Sequence, residues 1–334
     1  MKRLISPLFF LAFATIAIVG CKKLDAPLPV DRLTSILLGK DTLNMYVGEK
    51  RSVPVTISPS NYSLDSIRWK SLDTNILSIS KIGLVTGKKP GTTTVSVSNL
   101  RSTISVNLKV TVKDSIEMGM IAYYPFNNSG ADSSRKGNDV AYYSNITSVA
   151  NRFGKPNSAF SFNGTNSYLL IKDNPALRLS NTNFTINTWI KMDDYNPTDL
   201  GSIILSKRFT GINKGYNFGI NGVVSTPIGS VQFGPGGGYP TVTSTVLLSK
   251  NTWYMVTVVY NLSTGKMKIY RNGVYDTEGS ILPLDETVGA DLYVGRDQPA
   301  IGANYFLKGS LDDIRIYNRA LTAQQIQRLY VAPN

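Results

Sequence analysis

Alternation of apolar and polar side chains is the feature that most constrains the fold of this chain. In residues 104–112 isoleucine, valine or leucine occupies every second position, and a polar residue stands between each pair. Residues 53–58 repeat this period of two, and residues 266–270 follow it far along the chain. A strand with such a pattern buries one face and exposes the other to water. The chain is therefore predicted to be all-β.

The β pattern falls into two stretches, which predicts two domains in a chain of 334 residues. Residues 33–113 have room for the short strands of an immunoglobulin-like β-sandwich. Residues 121–334 are long enough for a larger jelly roll of two sheets, and residues 114–120 form the linker between them. Near the C-terminus Thr322 and Gln325 form a capping box, which predicts one short helix there.

Composition excludes several kinds of catalysis. The chain has no histidine and a single cysteine, which removes His-based triads, internal disulfides and Cys-rich metal sites. Retaining glycosidases need two carboxylates about 5–5.5 Å apart, and no motif in this sequence supplies such a pair. We therefore expect a protein that is not an enzyme. The alternative, a glycoside hydrolase or lyase, requires an acidic pair assembled in a cleft.

The N-terminal segment carries a targeting signal. A positive start precedes an apolar run over residues 8–19, which is too short to span a bilayer comfortably. The run ends at Cys21, and the whole segment resembles a bacterial lipobox. The resemblance implies that residues 1–20 are a signal peptide, that Cys21 carries the lipid and that residues 21–32 are a tether. An ordinary secretory signal with an incidental cysteine is the alternative.

This signal predicts a location in the cell envelope. We expect a lipid-anchored protein of the outer membrane that faces the cell surface. The formal net charge of +13 falls to +11 when Lys2 and Arg3 leave with the signal peptide, and such a surface favours acidic polysaccharides or anionic lipid headgroups. The alternative is a dispersed charge that only keeps the protein soluble. The positive residues are scattered along the chain, so no nucleic-acid partner is expected.

Residues 33–113 also resemble a known family. The segment Ile67–Ser71 contains Trp69, Gly83–Gly87 combines a turn with a strand, and residues 90–95 read PGTTTV. In this order the motifs resemble a bacterial immunoglobulin-like domain of group 2. The resemblance implies a spacer domain with Trp69 in its core.

The longer stretch resembles a second family. The motifs that carry this resemblance stand in order: YYPF at 123–126, RFG at 152–154, AFSFNG at 159–164, FTINTWI at 184–190, YRNG at 270–273 and GSLDDIRIYNRAL at 309–321. They resemble the laminin-G-like jelly roll of the concanavalin A-like lectin/glucanase superfamily. Ser134 departs from the pattern, because the family often has glycine there. The resemblance implies that Trp189 and Trp253 pack the core.

With both tryptophans assigned to the core, loop tyrosines are the candidates for contact with a sugar. Tyr195 follows two aspartates, and Tyr239 follows three glycines. A flat aromatic ring suits the apolar face of a pyranose, and glycine permits a close approach. Each tyrosine can equally be an ordinary exposed loop residue.

Asp312 is a candidate ligand of a cation. In a regular strand it shares a face with Ile314 and Ile316, and a carboxylate on a core-facing side needs hydrogen bonds or a cation. The superfamily resemblance implies a structural calcium ion, which prefers oxygen ligands. The predicted contributors are Asp132, Asn138, Asn163, Gly164 and Asp312. The alternative is that Asp312 only caps a turn by accepting backbone N–H bonds.

Two kinds of partner follow from the resemblance to the superfamily. The first hypothesis is non-catalytic carbohydrate binding at the cell surface by the jelly roll, with the Ig-like domain as a spacer. The second is a protein-binding adhesin or an envelope assembly component. A run of surface aromatics beside polar hydrogen-bonding groups favours sugar, and a flat apolar patch favours protein.

Overall fold

The computed structural model describes residues 33–197, 201–209, 214–222, 227–236, 241–285, 289–299 and 305–332. The chain divides into two compact units, one of residues up to Met45 with Glu49–Val112 and one of Tyr46–Gly48 with Lys113 onward. Cys21 and the predicted signal peptide and tether lie outside the described residues. Within the described part, no helix has the length and apolar character needed to cross a membrane.

The first unit is an antiparallel β-sandwich. Its strands are β1 (Ser35–Leu38), β2 (Thr42–Tyr46), β3 (Lys50–Ser52), β4 (Val55–Ser58), β5 (Ile67–Ser71), β6 (Leu77–Ile79), β7 (Leu84–Gly87), β8 (Gly91–Asn99) and β9 (Ser105–Lys113). They form sheets of the order β2-β9-β8-β5, β3-β7-β6 and β1-β4. The alternation predicted for β9 is confirmed, because Leu108, Val110 and Val112 are buried. Trp69 is only half-buried and packs its ring over Gly83, where a β-carbon would come within 2.8 Å.

The second unit is a jelly roll of two sheets. Its strands are β10 (Met120–Tyr124), β11 (Val140–Ser144), β12 (Thr147–Val149), β13 (Ala159–Asn163), β14 (Tyr168–Ile171), β15 (Phe184–Asp194), β16 (Ser202–Arg208), β17 (Gly215–Ile220), β18 (Ser230–Pro235), β19 (Val242–Leu247), β20 (Trp253–Asn261), β21 (Lys266–Arg271), β22 (Val274–Ser280), β23 (Leu292–Val294) and β24 (Lys308–Tyr317). The eight-stranded sheet has the order β12-β13-β24-β15-β20-β21-β22, with β10 also paired to β24. The seven-stranded sheet has the order β11-β14-β23-β16-β17-β18-β19.

The main core lies between these two sheets. Phe184 on the eight-stranded sheet contacts Phe233 on the seven-stranded sheet, with ring centroids 5.6 Å apart. Both side chains are fully buried, and burial of one such side chain is worth about 1.5–3 kcal/mol. Because inner positions are taken by this core, the alternate residues of each strand lie on the outer faces.

A second core lies on the outer face of the eight-stranded sheet. Helix α1 (Ala323–Val331) begins at the predicted capping box, in which Thr322 and Gln325 exchange side-chain to backbone hydrogen bonds. Trp189 is buried here and stacks on Tyr330, with centroids 5.6 Å apart, while Trp253 is partly buried against the same cluster. The tryptophans are therefore used in packing.

The predicted linker is held against the jelly roll. Asp114 forms an ion pair with Arg328 of the helix at 2.6 Å, and the carbonyl of Ser115 accepts a hydrogen bond from Arg319 at 2.6 Å. Met120 already belongs to β10. The segment is thus the start of the second unit.

Candidate functional site

A row of side chains crosses the outer face of the seven-stranded sheet. Strand register places opposite one another, in this order, Tyr142, Leu170, Tyr293, Ser206, Asn217 and Gly234. Their sequence neighbours, such as Leu169, Val294 and Phe218, are buried in the main core. Since side chains alternate along a strand, the row faces outward. We call this surface the outer row.

One half of the outer row is aromatic. Tyr142 is 53% exposed. The ring of Tyr168, which also points outward from β14, lies 5.8 Å from the ring of Tyr142 and 5.9 Å from that of Tyr293. The guanidinium of Arg296 lies over Tyr168, Tyr293 and Phe306, at 5.1, 5.7 and 4.9 Å from their centroids. These rings form a continuous aromatic surface.

The other half of the outer row is polar and rigidly held. Ser206 donates to Asp297 Oδ1 at 2.6 Å, and Arg208 binds both carboxylate oxygens of Asp297. The amide of Asn217 is satisfied when its oxygen accepts from Arg208 Nε at 3.0 Å and its nitrogen donates to Ser206 at 2.9 Å. Asp297 and Ser206 are buried, whereas Asn217 remains half-buried. Fixed polar groups thus adjoin the tyrosines.

A cleft of about 450 Å³ adjoins the aromatic half. Its lining residues are Gly164, Thr165, Asp194, Tyr195, Asn196, Pro197, Phe306 and Lys308. Phe306 belongs both to the cleft and to the rings under Arg296. The cleft and the outer row therefore meet at this side chain.

Tyr195, predicted from the sequence as a sugar contact, lines this cleft. Its hydroxyl donates to the carbonyl of Leu248, and partial burial raises the pKa of that hydroxyl. Lys250 Nζ lies 5.4 Å from the ring centroid. The ring, and not the hydroxyl, is the part that can meet a ligand, so ligand contact by Tyr195 stays a prediction. Tyr239, the other predicted contact, lies outside the described residues.

The cleft has a positive rim. Asp194 forms ion pairs with Lys250 at 2.5 Å and with Lys308 at 3.6 Å. The hydrogen bond from Lys250, helped by the backbone N–H of Tyr195, lowers the pKa of Asp194. One carboxylate thus faces two ammonium groups.

The predicted calcium ligands Asp132 and Asn138 share one loop. Asp132 Oδ1 accepts the backbone N–H groups of Tyr123 and Ser134, both at 2.9 Å, and Oδ2 accepts that of Asn138 at 3.1 Å. Asn138 Nδ2 donates to the carbonyl of Ile121 at 2.7 Å, while its buried Oδ1 has no partner among the described residues. Asp132 therefore organises the loop by capping its backbone donors.

Asn163 and Gly164 lie in a different loop. Asn163 Oδ1 accepts the backbone N–H groups of Thr165, Asn166 and Ser167 at 2.9, 3.0 and 3.2 Å. Gly164 has φ of +81°, a conformation that favours glycine. These contacts define a tight turn at the edge of the cleft.

The predicted orientation of Asp312 is wrong. Asn187 pairs with Arg315 and Trp189 pairs with Asp312, so β24 has one extra residue between these pairs. Asp313 has φ of +54° at this bulge. The extra residue reverses the alternation, and Asp312 lies opposite Trp189, on the outer face, instead of sharing the inner face of Ile314.

The cation that faces Asp312 is a guanidinium. Arg152 Nη1 lies 2.8 Å from Asp312 and 3.0 Å from Asp313, and the guanidinium stacks 4.3 Å from the centroid of Trp189. Burial, reinforced by the negative charge of Asp313, raises the pKa of Asp312 to about 7. The structure thus satisfies this buried carboxylate mainly with Arg152.

Three of the predicted calcium ligands have other partners in the structure. Among the described residues, no group of three or more His, Cys, Asp and Glu side chains could hold a metal ion. Asp132 pairs with its own loop, Asn163 with its own turn, and Asp312 with Arg152. A structural calcium ion stays a prediction.

The outer row is absent from the sequence-based candidates. One local signal for it exists: in YLLI at 168–171, Tyr168 and Leu170 alternate with the buried Leu169 and Ile171. A tyrosine at a water-facing strand position marks a surface aromatic. Its alignment with Tyr293 depends on strand pairing.

Two family models match the chain. Residues 163–327 match the concanavalin A-like lectin/glucanases superfamily, and residues 33–114 match the bacterial Ig-like domain (group 2). No curated protein matches the sequence.

Solved structures are similar to the chain in fold. The binding domain of Paraclostridial Mosquitocidal Protein 1 has 17% identity and a TM-score of 0.50, with 65% of this chain and 52% of that chain covered. The binding domain of botulinum neurotoxin serotype D/C VPI 5993 gives the same four values. Domain 4 of AbnA, a GH43 extracellular arabinanase from Geobacillus stearothermophilus solved with arabinotriose, has 21% identity, a TM-score of 0.47 and coverages of 63% and 98%. The chain spans about half the length of the toxin domains, and this likeness shows the fold alone.

Proposed function

Because the chain carries a bacterial Ig-like domain of group 2 followed by a concanavalin A-like domain, we propose that it binds carbohydrate without catalysis. The observation that carries the proposal is the outer row, in which the exposed Tyr142 and the half-buried Tyr293, joined by the half-buried Tyr168, adjoin fixed polar groups. The ring of Tyr168 lies within 6 Å of the rings of both Tyr142 and Tyr293. The half-buried Asn217 continues the same row with an amide that the buried Ser206 helps to hold.

This pairing matches the chemistry of a sugar. A pyranose has an apolar face, which packs on an aromatic ring, and a rim of hydroxyl groups, which need donors and acceptors. The amide of Asn217 is held by Tyr216, Ser206 and Arg208, and its oxygen can accept one more hydrogen bond, from a sugar hydroxyl, with little loss of side-chain entropy. A flat apolar patch would instead favour a protein partner.

The electrostatics of the outer row favour binding over hydrolysis. Asp297 is the carboxylate beneath the row, and Arg208 engages both of its oxygens. Ser206 adds a third hydrogen bond to the same carboxylate. A carboxylate held in this way serves to fix its neighbours, whereas a glycosidase needs two available carboxyl groups at a defined separation.

The remaining parts of the chain fit a display role at the cell surface. In this proposal the Ig-like domain is a spacer, and a lipid on Cys21 anchors the protein in the outer membrane. The distal jelly roll then presents the outer row to glycans outside the cell. The toxin domains of similar fold are named as binding domains, which agrees with a binding role.

The test is glycan binding by the full-length protein in detergent. Immobilised polysaccharides and a glycan array are probed with the wild type, Tyr142→Ala, Tyr293→Ala and Tyr275→Ala. Tyr275 is a matched control, because it is 50% exposed and lies on β22 of the other sheet. We expect the first two variants to lose binding and Tyr275→Ala to keep it. A folded wild type that binds no glycan would refute the proposal and favour a protein-binding adhesin.

A further inference from the structure

We infer that the outer row recognises an acidic glycan, with Arg296 receiving the ligand's carboxylate or sulfate group. This inference rests on the proposed carbohydrate binding and adds the chemical class of the sugar. It depends on one cation, its aromatic surroundings and the ion pairs of its neighbours.

Arg296 is held in a defined position. Its guanidinium lies over three aromatic rings, those of Tyr168, Tyr293 and Phe306. Its Nε donates to the backbone carbonyl of Asp297 at 2.8 Å. Stacking and this hydrogen bond together restrict the side chain, so little conformational entropy is lost when a ligand binds.

In the part of the chain that the structure describes, no ion pair compensates the charge of Arg296. Among the described residues it has no carboxylate partner, and its two Nη groups donate no hydrogen bond. The nearby carboxylates are engaged elsewhere: Asp297 pairs with Arg208, and Asp291 pairs with Lys172 at 3.0 Å. A half-buried cation without a partner favours an incoming anion.

The free part of the guanidinium has the geometry of an anion receptor. With Nε committed to a carbonyl, the two Nη groups remain as parallel N–H donors. Such a fork binds two oxygens of a carboxylate or a sulfate, and charge-assisted bonds of this kind are about twice as strong as neutral ones. A neutral sugar hydroxyl offers one oxygen and no charge.

The neighbouring cleft has the same sign of charge. Lys250 and Lys308 share the single carboxylate of Asp194 at its rim. Phe306 connects this rim to Arg296. The formal net charge, +13 for the whole sequence and still strongly positive without Lys2 and Arg3 of the predicted signal peptide, adds long-range attraction for a polyanion. A glycan that runs from the row to the cleft therefore meets positive charge along its path.

The experiment compares two pairs of glycans, each with a charged and a neutral member that share one sugar backbone. Full-length protein in detergent is titrated with polygalacturonate against its methyl ester, and with dextran sulfate against dextran. The first pair reports a uronate carboxylate and the second a sulfate ester. We expect one charged member to bind at least tenfold more tightly than its neutral form, with an affinity that falls as NaCl is raised. Equal affinity for charged and neutral forms would overturn the inference and leave the proposed function standing.

Variants of Arg296 test whether this residue causes the preference for charged glycans. We expect Arg296→Gln to reduce the affinity for the charged glycan at least tenfold and the affinity for neutral glycans less than threefold. Arg296→Lys keeps the charge without the fork and should give an intermediate loss. Arg271→Gln is the matched control, because Arg271 lies 5.6 Å from the ring centroid of Tyr254 on the other sheet. Charged-glycan binding unchanged in folded Arg296→Gln, or lost equally in Arg271→Gln, would overturn the assignment.

The two proposals fail in different ways. If no glycan binds, charged or neutral, both fall. If neutral glycans bind in a manner that depends on Tyr142 and charge adds nothing, carbohydrate binding stands and the acidic class is refuted. Circular dichroism and thermal unfolding of each variant confirm that the compared proteins are folded.

Discussion

Replacing Asp312 by asparagine is expected to remove a pH-dependent destabilisation of the jelly roll. Asp312 is fully buried and pairs with Arg152 at 2.8 Å beside the carboxylate of Asp313. Burial, then the charge of Asp313, raises the pKa of Asp312 from 3.8 to about 7. Asparagine has nearly the same shape and does not titrate in this range.

The sign of the effect follows from the protons bound in each state. Below pH 3.8 the folded and unfolded states both hold the proton of Asp312, and its contribution to stability is fully present. As pH rises toward the folded pKa of about 7, the unfolded chain releases this proton first, so the free energy of unfolding falls. The free energy of unfolding falls by about 1.4 kcal/mol for each pH unit. Between pH 3.8 and the folded pKa of about 7 it falls by about 4 kcal/mol in all. Above the folded pKa this group causes no further loss.

Urea unfolding monitored by tryptophan fluorescence measures this effect. In a Trp69→Phe background the two remaining tryptophans, Trp189 and Trp253, both lie in the jelly roll. From pH 4 to pH 8 the Asp312→Asn protein should gain about 4 kcal/mol relative to its parent. Asp193→Asn, which removes an exposed carboxylate of the same unit, should track the parent. Parallel pH profiles of the Asp312→Asn protein and its parent would refute this account of the buried pair.

Four further outcomes are expected. Tyr142→Ala should weaken glycan binding at least tenfold in a direct titration, with Tyr275→Ala unchanged; equal losses would remove the outer row as the site. Thr322→Ala loses the helix cap and should lower the free energy of unfolding, measured with urea, by about 1 kcal/mol. An unchanged midpoint of the urea unfolding curve would show that the cap does not stabilise the protein. Cys21→Ser should abolish incorporation of labelled palmitate and membrane retention, whereas persistent labelling would contradict the lipid anchor. EDTA should lower the melting temperature of the wild type and CaCl₂ should restore it, whereas the melting temperature of the Asp132→Asn protein should respond to neither; a wild-type melting temperature indifferent to both reagents would end the calcium prediction.

Local patterns in the sequence were sufficient to predict individual strands, the C-terminal helix and the fold class. The period of two in β9 predicted the burial of Val110, because neighbouring side chains of a strand point to opposite faces whatever lies beyond them. The capping box predicted the start of α1 from Thr322 and Gln325, since the cap is completed within a few residues. The resemblance to two families, confirmed by the matching family models, then supplied the two-domain architecture.

The candidate site could not be found in the same way. Tyr142 and Tyr293 lie far apart in the chain and become neighbours only because β11, β14 and β23 pair in that order. Loop position predicted Tyr195 instead, and this residue lines the neighbouring cleft with its hydroxyl bonded to a backbone carbonyl. The free charge of Arg296 is also invisible in the sequence, because pairing depends on which carboxylates fold close to it.

The orientation of Asp312 could not be predicted from the pattern of its own strand. Regular alternation through residues 312–316 predicted that the carboxylate of Asp312 points inward. One extra residue at Asp313 instead turns the side chain of Asp312 outward, toward Arg152. Strand, turn and helix preferences are local, so the sequence alone was enough to place them. Surface rows, buried ion pairs and unpaired charges arise from strand order and register over long separations, so they became apparent only in the folded chain.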